Sequence, residues 1–325
     1  MKKALCFTLA ALAFAAACPA ARHPIADLIS LYEYERTVPV EFDETGVTEV
    51  DGVFIRDITY ESPGGGRVPA FLVEPAPADA PGGGPGVLFG HRSYGNRAES
   101  LPEAIAYARA GAVCLLIDFP WARPEPWYES IGNILDPAAD RKVLIQTVVD
   151  LRRGLDLLQY HPGCNGDLAY VGHSVGGQCG AILSAVDSHR LKAVVITGGA
   201  PSQRDVMLYS DDPGIAAIRA ILGMDRIRAY CDAMEDFDGE KYVRWTQAGI
   251  ILFQFGRYER YANADMMQRY AEVAAGEPGV IVYDAGHALC DPRAYRDRAA
   301  WLVGHVGLDS PVFEALGVDD GAGEE

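Results

Sequence analysis

The stretch Asp167-Leu168-Ala169-Tyr170-Val171-Gly172-His173-Ser174-Val175-Gly176 runs from a short apolar segment into a glycine-flanked serine, and then into a helical pattern beginning near Gly176. A continuous apolar run of this length reads as a strand covered on both faces, where neither side meets water. Glycines at 172 and 176 permit a sharp turn from strand to helix, which leaves the Ser174 hydroxyl exposed above the strand end. The same residues would also suit a plain glycine-rich turn with a capping serine. The strand before and the helix after favour the first reading.

Outward from this point, strand alternates with helix. Apolar runs at 87–90, 112–119, 167–172, 191–197, 249–255 and 279–283 read as buried strands, separated by helical patterns at 98–110, 137–160, 176–186, 263–275 and 292–305. Leu144, Val148, Leu151, Leu155 and Leu158 recur at helical spacing in the second of these patterns. The alternation predicts an α/β fold with a mostly parallel central sheet and helices on both faces. Two earlier strands, 53–60 and 67–74, are joined by Ser62-Pro63-Gly64-Gly65-Gly66 and so run antiparallel. Residues 75–86 read as a surface linker, because Gly82-Gly83-Gly84-Pro85-Gly86 lacks the Lys-Ser/Thr of a phosphate loop. The interval 201–247 interrupts the rhythm, with a helical piece at 215–222, and is expected to be a short cap insertion. Residues 22–50 show no clear pattern and 309–325 read as an acidic, solvated tail. The domain proper is expected over 51–308.

Of the 325 residues, 49% are hydrophobic and 22% charged, enough for a full core, which excludes a disordered chain. A formal net charge of −17 gives no basis for holding a phosphate backbone, so nucleic acid is not an expected partner. Met1-Lys2-Lys3, the apolar run 4–17 and the small residues after it read as a signal peptide over 1–21. Export to the periplasm or the exterior follows. Ala15-Ala16-Ala17-Cys18 also resembles a bacterial lipoprotein cleavage box, so a lipid anchor on Cys18 is the alternative. No later run reaches membrane-spanning length. Beyond Cys6 and Cys18 the cysteines are scattered, at 114, 164, 179, 231 and 290, without a Cys-x-x-Cys pair. No metal site is expected, and one disulfide of unassigned partners stays open.

A serine hydroxyl needs a base to become a nucleophile. His287, in Asp284-Ala285-Gly286-His287-Ala288, follows the final strand, at the sheet end where α/β sites assemble. His23, His161, His189 and His305 read as surface or core residues, and His173 as structural. Glu259, in Phe253-Gln254-Phe255-Gly256-Arg257-Tyr258-Glu259, follows the preceding strand and is the expected partner of His287. Asp265 and Asp205 are the other candidate acids, and an ion pair with Arg257 or Arg260 is the alternative use of Glu259. The expected oxyanion donors are the backbone N–H groups of Val175 and Ser93. Ser93 lies in the loop Gly90-His91-Arg92-Ser93-Tyr94-Gly95, where Arg92 is its rival. No cofactor is called for.

Together these residues resemble the α/β-hydrolase superfamily over about 51–305, in which the order is serine, acid, histidine. The chain is similar to the dienelactone-hydrolase-like esterases in Asp57-Ile58-Thr59-Tyr60 through Arg67-Val68-Pro69-Ala70-Phe71-Leu72-Val73, and in Asp150-Leu151-Arg152-Arg153-Gly154-Leu155-Asp156. Tyr170-Val171-Gly172-His173-Ser174 and Leu252-Phe253-Gln254-Phe255-Gly256 extend the likeness. Three positions depart from that pattern. The namesake enzyme has cysteine at the place of Ser174, the acid is commonly Asp rather than Glu259, and the oxyanion loop usually carries His-Gly rather than His91-Arg92. The resemblance implies a hydrolase of small-molecule carboxylic esters, with Ser174 attacking, His287 as base and acid, and Glu259 orienting it. A peptidase with the same triad and a non-catalytic cell-envelope binding protein are the rival readings. None of these signals bears on oligomeric state.

Overall fold

Val113-Cys114-Leu115-Leu116-Ile117 has no polar position and is wholly buried, so it belongs inside a sheet covered on both faces. The computed structural model describes residues 23–76, 83–247 and 249–320. The expected signal peptide with Cys18, residues 77–82 of the expected linker and the end of the acidic tail lie outside the described residues.

A short helix α1 (Ala26–Ser30) precedes a ribbon of β1 (Phe42–Val50), β2 (Val53–Glu61) and β3 (Arg67–Pro75). The alternating part runs β4 (Gly84–Gly90), α2 (Leu101–Arg109), β5 (Val113–Ile117), α3 (Pro137–Gln159), β6 (Cys164–His173), α4 (Val175–Val186) and β7 (Leu191–Thr197). Within 201–247 lie α5 (Gln203–Tyr209), α6 (Pro213–Leu222), α7 (Met224–Met234) and α8 (Glu240–Val243). After them come β8 (Ile251–Tyr258), α9 (Ala264–Val273), β9 (Gly279–Gly286), α10 (Pro292–Val306) and α11 (Val312–Leu316). The strands form one sheet in the order β1-β2-β3-β5-β4-β6-β7-β8-β9. β1 to β3 pair antiparallel, β3 meets β5 antiparallel, and β5 through β9 in that order run parallel.

Strand β4 shows how its sequence divides the two layers. Leu88 points into one, with Leu115, Tyr170 and the α3 residues Leu151 and Leu155. Its neighbours Val87 and Phe89 point into the other, with Tyr107 of α2, Leu302 of α10 and Val312 of α11. Successive side chains alternate across the sheet, and both faces are apolar. Each such large side chain stabilises the fold by about 1.5–3 kcal/mol relative to an exposed one.

Helix α3 is capped by Asp136, whose side chain accepts the Ala139 N–H at 3.2 Å, with Pro137 at its first position. Its motif Asp150 to Asp156 anchors neighbouring segments. Arg152 reaches Asp187 at 2.7 Å and the Tyr32 carbonyl, Asp156 takes Arg190 and the Tyr34 hydroxyl, and Asp150 pairs with Arg123. This part of the family likeness is structural.

Three features differ from the sequence expectation, and the open disulfide question is answered. β1 falls in the stretch without pattern, because all but its last residue are exposed and no apolar alternation marks it. Backbone pairing with β2 holds it, assisted by Arg56, which bridges Glu44 at 2.7 Å and Glu74 at 2.6 Å. The glycine run read as linker ends inside β4. A Cβ on Gly84 would lie 1.8 Å from the Gly111 carbonyl oxygen, so glycine lets β4 lie tight against its neighbour. The segment read as a tail contains α11, which packs its buried Val312 against α2. Cys114, Cys164, Cys179, Cys231 and Cys290 are all free thiols. Among the described residues, no helix is long and apolar enough to cross a membrane.

Candidate active site

β6 ends at His173 and α4 begins at Val175, so Ser174 alone makes the turn, at φ 57° and ψ −116°. A non-glycine residue there is strained by about 1–3 kcal/mol and must be held. Its N–H donates to the Thr197 carbonyl at 2.8 Å, and its carbonyl accepts from the Gln178 N–H at 3.0 Å. The flanking glycines are required by close approach. A Cβ on Gly172 would stand 2.3 Å from the Gly176 carbonyl oxygen, and one on Gly176 would stand 2.3 Å from that of Gly90. The turn is thus wedged against the tip of β4.

Strands β8 and β9 place the next two groups. Their parallel pairing ends at Tyr258 opposite Gly286, so the following residues, Glu259 and His287, emerge side by side. Both strands run beyond their apolar patterns, because Arg257, Tyr258, Asp284 and Gly286 are exposed and look like loop in sequence. Glu259 Oε2 lies 2.7 Å from His287 Nδ1, and His287 Nε2 lies 2.9 Å from Ser174 Oγ. The second Glu259 oxygen accepts the N–H groups of Arg260 at 2.8 Å and Tyr261 at 3.1 Å, which fixes a side chain only 3% exposed. Arg257 and Arg260 face Asp284 and Asp212 instead. The Tyr261 ring meets His287 edge-on at 4.6 Å. The two other acids are elsewhere: Asp205 holds Arg269 at 2.6 Å, and Asp265 is exposed in the first turn of α9.

Ser93 and Val175 line the same cavity as Ser174 and His287, of about 310 Å³, with Met207, Ile215 and Ile218 of the insertion over it. Val175 is the first residue of α4, and an N–H in a first helical turn has no acceptor within its own helix. Around Ser93 the loop is held by the His91 ring and the Arg92 backbone carbonyl. Phe119 N–H donates to His91 Nε2 at 3.0 Å, so the ring proton sits on Nδ1 and is donated to the Arg92 carbonyl at 2.7 Å. Burial pushes the His91 imidazole down to about 4, which keeps it neutral in this role. Gly95 N–H also donates to the Arg92 carbonyl, at 3.0 Å. In a planar trans peptide the Ser93 N–H then points the opposite way from that pinned carbonyl.

One neighbour carried no signal in the sequence. Glu99 bonds His173, the residue before Ser174, at 2.9 Å. Burial alone would raise its carboxyl, but the bonds from His173 and the Arg92 N–H outweigh that and hold it below the usual carboxylate range. Of the other histidines, His161 bonds Glu74 and His305 stacks on Trp301 at 4.0 Å. Among the described residues, no group of three or more His, Cys, Asp or Glu is placed to hold a metal ion.

No protein-family model matches the chain, and no curated protein matches it. Solved structures do. An acetyl xylan esterase from a Paenibacillus species superposes with a TM-score of 0.69 at 19% identity, covering 87% of this chain and 100% of that one. Acetyl xylan esterase 1 from a Thermoanaerobacterium species gives 0.67 at 16%, covering 80% of this chain and 87% of that one. A Pyrococcus furiosus esterase gives 0.52 at 14%, covering 85% and 100%. At such identities the likeness is one of architecture, and together with the strand order it establishes that this chain has the α/β-hydrolase fold.

Proposed function

We propose that the protein is a serine hydrolase that cleaves carboxylic ester bonds through an acyl-enzyme on Ser174. The observation that carries this reading is the unbroken chain of bonds from Glu259 through His287 to Ser174, at 2.7 and 2.9 Å. A carboxylate accepts only, so His287 Nδ1 carries the hydrogen and Nε2 offers its lone pair to the Ser174 O–H. In the proposed reaction Oγ attacks the ester carbonyl carbon while its proton passes to Nε2. The oxyanion that forms is met by the Val175 and Ser93 N–H groups. Collapse expels the alcohol, which takes the proton from His287. Water then attacks the acyl-enzyme, giving its proton to His287, and the acid leaves as Oγ is reprotonated. Glu259 stabilises the imidazolium in both halves. The esterases among the solved structures of like architecture support the ester reading.

A fluorophosphonate probe should label Ser174 in the wild type and not in Ser174→Ala. That substitution should lower kcat on 4-nitrophenyl acetate by a factor on the order of 10⁶ with the fold intact. Unlabelled wild-type protein would leave the binding-protein reading, and turnover of peptide amides at rates matching esters would favour the peptidase. We further read residues 1–21 as an export signal, on the basic start and apolar run at 4–17. Mass spectrometry of the protein from its native cell should find a mature N-terminus between Cys18 and Arg22. A diacylglycerol mass on Cys18 would mean a lipid anchor, and an intact Met1 would remove the export reading.

A further inference from the structure

Two residues outside the triad connect the loops on either side of it. Glu99 Oε2 accepts the Arg92 N–H at 3.1 Å, and its Oε1 lies 2.9 Å from His173 Nδ1. His173 Nε2 in turn lies 2.9 Å from the carbonyl oxygen of His287. A carbonyl only accepts, so Nε2 is an N–H donor and a single proton lies between Nδ1 and Glu99. The bonds therefore run without a gap from the backbone before Ser93 to the backbone of His287. Both side chains are largely buried, 15% exposed for His173 and 16% for Glu99. The approach is tight, because a Cβ on Gly95 would lie 2.1 Å from Glu99 Oε2. The His287 loop needs such a restraint: Leu289, two residues on, is buried at φ 45°, a conformation unfavourable for a branched side chain.

We propose that Glu99 and His173 are positioning residues, which hold the oxyanion loop and the His287 loop at fixed distance about Ser174. The inference rests on the hydrolase reading above. Attack requires reacting atoms within about 3–3.5 Å, and a misplacement of about 1 Å costs on the order of 10²-fold in rate. Neither residue touches the ester. Glu99 acts through the Arg92 N–H, one peptide before the Ser93 N–H, and His173 acts through the backbone carbonyl of His287. The arrangement needs a donor to the His287 carbonyl and an acceptor for the Arg92 N–H, but no net charge.

The test uses His173→Phe and Glu99→Ala in the full-length protein, at a temperature where circular dichroism shows each folded. Both should lower kcat on 4-nitrophenyl acetate about 10²-fold with little change in KM, and slow fluorophosphonate labelling of Ser174 by the same factor. Glu99→Gln should restore most of the rate, since its amide oxygen accepts from Arg92 and its NH₂ donates to His173 Nδ1. Wild-type rates in the first two variants would overturn the proposal, as would a Glu99→Gln variant as slow as Glu99→Ala. If the first two do not fold, Gly95→Ala, which presses on Glu99, should show the same loss of kcat, and an unaffected rate there overturns it. Failure of the wild type to label at all would count instead against the hydrolase reading.

Discussion

Glu259 is one methylene longer than the aspartate usual at this place in the family it resembles, and the extra length has a use. With Oε2 on His287, Oε1 reaches back to the Arg260 and Tyr261 N–H groups, so the carboxylate also shapes the turn after β8. An amide in its place would present NH₂ to Nδ1 and favour the tautomer with hydrogen on Nε2, which cannot take the serine proton. Glu259→Gln should therefore lower kcat on the order of 10⁴-fold. Asp205→Asn is the control, because Asp205 serves Arg269 and Ser202 and should affect melting temperature rather than kcat. The opposite pattern in steady-state assays would make Asp205 the acid.

At the scale of elements, the insertion carries its own pH dependence. Asp238, just before α8, accepts the Gln203 N–H at the start of α5 at 2.9 Å. Burial pushes its carboxyl up to about 7, only partly offset by Gln203 and Lys241. The folded value lies above the unfolded one of about 3.9, so the protonated form contributes stability that is full below that value and is lost as pH rises through about 7. Asp238→Asn should flatten the fall in melting temperature between about pH 4 and about pH 7. A fall as steep as in the wild type would place its origin elsewhere. Such couplings explain what sequence could and could not reveal. β5 and the second half of β6 are legible because burial on both faces leaves them apolar, and Ser174 because its turn cannot form without Gly172 and Gly176. β1 is held by backbone and by surface ion pairs, which leave no periodicity. Glu99 and His173 meet across a gap of 74 residues through one bond, and no local pattern records that.

The whole molecule is closed by another such contact. Glu103 of α2 and Arg298 of α10, 195 residues apart, form a buried two-pronged pair at 2.5 and 2.7 Å, with the Tyr107 hydroxyl also on Glu103. It joins the helix after the first parallel strand to the helix after the last, on the sheet face where Tyr107 and Leu302 pack. Taking both charges from water is costly, so the pair is a device for fixing how the helices lie more than a net source of stability. Two different outcomes should follow from removing one partner and from removing both. Glu103→Gln leaves Arg298 buried without a counter-charge and should cost about 3–5 kcal/mol in urea unfolding. Replacing both residues by methionine should come out near neutral, or more stable by about 1–4 kcal/mol. If the double variant is as unstable as Glu103→Gln, the bonds that Tyr107 and Gln254 also make to this pair hold more energy than an apolar filling returns, and the cluster is a net stabiliser of the fold.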